Sequence, residues 1–212
     1  MNAKPSLRGI SHFYAGIVAV IAGTILVLLA SPPRAQVAGS IYSVSLAAMF
    51  GASALYHLHR WGPRIDLWLR RLDHATIFIF IAGSYTPFCL LALGSQSGGV
   101  LLALVWTVAG LGILLALLWI HAPQWIAGTI YVAMGWMVVP FLPGLAAAVG
   151  PLGIALLFAG GICFTVGAVI VGLRRPDPLP AVFGYHEVFH ALVIAGCIFQ
   201  FGAVSRLVVA GG

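Results

Sequence analysis

The chain has 212 residues, of which 62% are hydrophobic and only 7% charged, with a formal net charge of +6. Soluble domains carry about 25% charged residues, so composition excludes a water-soluble fold. It also excludes a basic soluble module for nucleic acid, and the positive charge reads instead as a signal of membrane orientation. In chain order, apolar runs long enough to cross a bilayer predict helices over about 12–30, 36–58, 72–93, 98–119, 126–147, 151–173 and 185–208. The first starts too late and runs too long for a removable signal peptide. Short connections predict one all-α domain over 1–212, an integral membrane protein built as a seven-transmembrane helix bundle.

Basic residues orient the bundle. With the N-terminus in the cytoplasm, Lys4, Arg8, Arg60, Arg64, Arg70, Arg71, Arg174 and Arg175 fall inside, and only Arg34 and Arg206 fall outside. A cytoplasmic N-terminus and an extracytoplasmic C-terminus are therefore expected. Trp61, Trp68, Trp125 and Tyr131 fit an aromatic belt, and Arg64, Arg70 and Arg71 face anionic headgroups. Cys89, Cys163 and Cys197 all lie in apolar runs, an odd number without paired spacing, and read as small core residues. Pro87 and Pro140 are expected to kink their spans, and Gln200 to hydrogen-bond between helices.

The remaining polar residues gather at one depth. The second run ends in Ser53-Ala54-Leu55-Tyr56-His57, the third opens with Leu72-Asp73-His74, and the seventh opens with Tyr185-His186-Glu187-Val188-Phe189-His190. In the predicted topology all fall within about two helical turns of the cytoplasmic boundary, on the order of 10 Å. His186 and His190 are four apart and share a helix face, as do Ser53 and His57. A single histidine at this depth is ordinarily an interfacial polar residue. Three together, with water as a fourth ligand, match an open, catalytic-type zinc site. A calcium-like ion would need more carboxylates than four acidic residues can supply.

Around such a centre, Asp73 either binds the metal or accepts a hydrogen bond from its water and acts as base. Ser53 either holds that water or polarises a substrate carbonyl. His186-Glu187-x-x-His190 also fits the zinc metallopeptidase signature, with Glu187 as general base, although no second peptidase hallmark accompanies it. The plainer expectation for Glu187 is an acid in the first helical turn, favoured by the helix dipole and paired with Arg174 or Arg175. His74 is read as interfacial. His12 and His121 stand at span ends with no partner evident in the sequence.

Taken together, Ser53-x-x-x-His57, Leu72-Asp73-His74-Ala75, Gly83-Ser84-Tyr85-Thr86-Pro87-Phe88, Gly135-Trp136 and His186-Glu187-x-x-His190 resemble the hemolysin III family. That family is the bacterial branch of the progestin and adiponectin receptor group, and the resemblance runs from about Tyr42 to Phe201. It implies a seven-helix protein of the bacterial plasma membrane with a cytoplasmic N-terminus. It implies zinc (Zn2+) held by His57, His186 and His190, with Asp73 and Ser53 around a bound water as the catalytic pair. The wider superfamily includes alkaline ceramidases, so a zinc-dependent lipid amide or ester hydrolase is expected by analogy, with membrane lipids as partners and substrate. Two other readings stand beside it: a non-catalytic sensor or homeostasis protein with structural zinc, and the pore-forming cytolysin that the family name implies. No acidic ring or polar stripe along a span supports the pore.

Overall fold

The fold was derived from a computed structural model, which describes residues 7–119 and 121–210; Lys4 and Gly212 lie outside the described residues. Among the described residues, seven α-helices follow in chain order: α1 (Ile10–Leu29), α2 (Pro33–Leu58), α3 (Pro63–Pro87), α4 (Ser95–Leu118), α5 (Gln124–Trp136), α6 (Leu142–Leu173) and α7 (Tyr185–Ala210). No strand forms there beyond an isolated bridge between Leu179 and Phe183. Six helical stretches are long and apolar enough to cross a membrane. Their outer faces carry large apolar side chains, with Leu28 77% and Leu118 80% exposed. Hydrocarbon solvates such a surface and water does not, so this is an integral membrane protein.

The sequence-predicted boundaries depart from the structure in two places. α3 begins at Pro63 rather than near residue 72. Proline serves well at the first helical position, and the polar turns carrying Arg64, Asp66, Arg70 and Arg71 extend the helix beyond its apolar run. The larger difference lies in 126–147, expected as one helix. α5 stops at Trp136, a 3-10 turn covers Val139–Phe141, and α6 starts at Leu142. Pro140 and Pro143 are the cause, since neither donates a backbone N–H to the carbonyl four residues before it. A second break follows at Gly150, whose φ of 67° favours glycine, immediately before Pro151.

The freed backbone groups at the end of α5 are satisfied from α3. The Tyr85 hydroxyl lies 2.8 Å from the Met134 carbonyl and 2.7 Å from that of Gly135, sharing its proton between them. It also accepts from the Val138 N–H at 3.1 Å. Within the Gly83–Phe88 motif, Tyr85 is therefore a brace for the α5 break. Pro87 ends α3, which widens into a π-helical turn over Phe88–Ala92. Gln200 donates to the Ser84 hydroxyl at 3.4 Å, the interhelical contact expected of it. Cys89 and Cys197 are buried free thiols.

Packing brings α7 against several helices. It lies against α6 and also touches α1, α2 and α3. Small residues allow the approach: a Cβ added at Gly196 would stand 2.6 Å from the Phe164 ring, and one at Gly160 would stand 3.1 Å from the Gly196 carbonyl oxygen. Tyr42, Phe78, Leu101, Met134 and Val204 fill the interior. With α7 in contact with α1, α2 and α3, side chains from four helices can meet at one end of the bundle.

Candidate metal centre

The start of α7 is fixed before its histidines are placed. Glu187, three residues after the cap position Gly184, accepts the Gly184 N–H at 2.9 Å through Oε2, which is half of a capping box. Asp177 Oδ1 accepts the next N–H, that of Tyr185, at 2.9 Å. The other Glu187 oxygen takes the Arg8 Nε–H at 2.8 Å. Two of the orphan donors of the first turn are thus satisfied, and His186 and His190 are held one above the other on one face. The partner of Glu187 is Arg8, not the expected Arg174 or Arg175. Both Glu187 oxygens are thus engaged, one by the cap and one by Arg8. Glu187→Ala is expected to lower stability by about 2–3 kcal/mol, because Arg8 loses its partner and a cap is lost. Glu187→Gln, which keeps the cap, should cost roughly half as much, and chemical denaturation in detergent measures both.

At the other side of the centre, α2 presents Ser53 and His57 from its last two turns. The backbone around His57 is approached closely by Gly9, whose φ is 83° and whose missing Cβ would lie 2.8 Å from the His57 Cβ. Glycine is required there on both counts. Leu7 N–H meets the Val182 carbonyl at 3.4 Å, so the segment before α1 crosses from α2 to the loop ahead of α7.

His57, His186 and His190 converge, as expected of them. One nitrogen from each lies within 4.8 Å of the others, and His57 and His190 are buried. His57 Nε2 and His186 Nε2 are 3.3 Å apart. Two nitrogens bound tetrahedrally to one ion at 2.0–2.1 Å stand about 3.3–3.4 Å from each other. His190 Nδ1 is buried without a hydrogen-bond partner. The trio can therefore hold a metal ion, and imidazole nitrogen suits zinc and its transition-metal neighbours better than calcium or magnesium.

Asp73 lies beside this group, its Oδ2 3.7 Å from His57 Nε2. Ser53 lies within reach of the Asp73 carboxyl. His74 stays outside, and its carbonyl accepts the Tyr131 hydroxyl at 3.0 Å. The residue that sequence reasoning missed is His12. It is 3% exposed, its Nδ1 is 2.8 Å from Ser53 Oγ, and its ring stacks on His190 at 3.7 Å between centroids. A signal was present, since His12 falls at the start of its span, at the depth already assigned to the other histidines.

A family model described as Haemolysin-III related matches residues 1–201. "Hemolysin-3" of Bacillus cereus is 32% identical over 201 residues, covering 93% of this chain and 88% of that protein. "Hemolysin-3 homolog" of Bacillus subtilis (strain 168) is 30% identical over 165 residues, covering 78% of this chain and 74% of the relative. With helical spans, a histidine centre and a match over nearly its whole length, the chain belongs to the haemolysin-III related family.

Proposed function

We propose that this protein is a seven-span, zinc-dependent hydrolase that cleaves an amide or ester bond of a membrane lipid near the cytoplasmic face. One observation supports this reading most: three imidazoles with nitrogens within 4.8 Å of one another and a carboxylate 3.7 Å from one of them, inside an apolar bundle. His57, His186 and His190 would hold the ion. Zinc bound there supplies Lewis acidity and makes water a nucleophile near neutral pH. Asp73 receives the proton of the attacking water. Ser53, within reach of Asp73 and engaged by His12, orients the carboxyl rather than serving a substrate oxyanion. A centre inside a bundle of apolar spans suits a lipid substrate.

The same proposal includes the topology. Trp125–Leu173 is one apolar stretch of 49 residues. Straight, it would be about 74 Å long, more than twice the ~30 Å hydrocarbon thickness. Two crossings with a reversal at Gly150-Pro151 bring the spans to seven. Basic residues divide eight to two across that arrangement, so the N-terminus is cytoplasmic. Reporter fusions after Arg64 and at Gly212 are expected to read inside and outside respectively. The same side for both overturns the seven-span arrangement.

The short Asp73–His57 distance also favours a second reading, in which a small side-chain shift makes Asp73 a fourth ligand. The centre would then be closed and structural, as suits a non-catalytic sensor or homeostasis protein. Metal analysis with a lipid-extract turnover assay separates them: about one zinc per chain with turnover supports the hydrolase, and zinc without turnover supports the sensor. The names of the relatives add a further outcome. Ion conductance that survives loss of all three histidines would mark a pore-former.

A further inference from the structure

We propose that His12 is a positioning residue of the metal centre, contributed by α1: the face of its ring fixes His190 and its Nδ1 edge fixes Ser53. This rests on reading His57, His186 and His190 as a metal site.

The two contacts use different parts of one side chain. His12 and His190 stack with centroids 3.7 Å apart and planes 12° from parallel, and Phe50 closes the far side edge-on at 5.0 Å. A ring held between His190 and Phe50 cannot turn without displacing one of them. The stacked His12 ring in turn limits how the His190 ring can rotate, an orienting contact of the kind that outer partners make with ligand histidines. A neutral ring face is also a favourable neighbour for an imidazole drawn electron-poor by a cation.

The edge contact explains why the residue is histidine rather than phenylalanine. Burying an imidazole at 3% exposure costs free energy, which the Nδ1 contact offsets in part, while Nε2 is buried without a hydrogen-bond partner. Nδ1 is used on Ser53 Oγ at 2.8 Å, and Ser53 in turn meets Asp73. A file of polar groups thus runs from His12 through Ser53 and Asp73 to His57, joining α1, α2 and α3. Removing its first member leaves Ser53 free to rotate and Asp73 less firmly aimed.

Because face and edge are separable, two variants divide them. His12→Phe keeps the stacked face and loses the edge. His12→Asn keeps an amide near the Nδ1 position and loses the face. In purified protein, zinc affinity measured by chelator competition should fall on the order of tenfold in His12→Asn and stay near wild type in His12→Phe. The visible spectrum of the cobalt(II)-loaded protein should shift in His12→Asn only. Ser53→Ala should lower the Tm of metal-free wild type and of His12→Asn by about 2–4 °C, and that of His12→Phe by much less. Wild-type zinc affinity and cobalt spectrum in His12→Asn would overturn the face role. Equal Ser53→Ala costs in all three backgrounds would overturn the edge role. A wild-type protein that binds neither zinc nor cobalt would instead refute the metal reading, and this inference with it.

Discussion

Replacing His190 with alanine is expected to lower zinc affinity by more than about 100-fold. Outer partners of metal ligands already account for 10- to 100-fold each, and His190 is a direct ligand in the proposed centre. Solvent is poorly placed to replace it, since His190 is 1% exposed. Two imidazoles and water would remain, which seldom bind zinc tightly. Stability should follow by linkage, because the ion joins α2 to α7 only in the folded chain. At free zinc 100 times the wild-type Kd, the ion stabilises the wild type by about 2.7 kcal/mol, and the variant should gain almost none of it. That corresponds to a difference of about 5–10 °C in the zinc-induced rise of Tm. The alanine also leaves a cavity, so each protein is compared with its own metal-free form. An equal zinc-induced rise in both proteins, or an unchanged metal content after replacing all three histidines, would rule the centre out.

How much of this was legible in the sequence depends on how local the cause is. Hydropathy located the membrane-embedded segments because the bilayer selects apolar runs of fixed length. It could not place the first residue of α3, since Pro63–Arg71 is helical for reasons of capping and propensity rather than apolarity. The α5 break was half visible. Pro140 and Pro143 announce it, but its tolerance depends on Tyr85, 49 residues away from Met134, which no local pattern reveals. The histidine trio was legible because depth along a span is a linear quantity that sequence and topology together supply. Partners around the centre were not. Arg8 pairs with Glu187 across 179 residues, and His12 meets Ser53 across 41. Such contacts depend on which helices are neighbours, and the closure of α1 against α7 is a property of the whole bundle.

Asp73→Asn is expected to leave metal content and fold intact while lowering hydrolysis by about 100- to 10,000-fold, the range for losing a general base. Several features favour the carboxylate as base. The nitrogens that lie within 4.8 Å of one another come from three histidines, and Asp73 stands beside that group rather than in it. Three neutral imidazoles would leave a bound ion its full positive charge, which would favour the ionised form of a nearby carboxylate. Ser53 is within reach of the carboxyl on one side, while His57 is 3.7 Å away on the other. Asparagine preserves size and the Ser53 contact, so the fold has little reason to respond, but an amide cannot take up a proton. Metal content measured beside turnover makes the result decisive. If Asp73→Asn loses zinc together with activity, the carboxylate is itself a ligand, the centre is closed, and the sensor reading replaces the hydrolase. If the variant keeps both zinc and full turnover, another group moves the proton and the assignment of Asp73 fails.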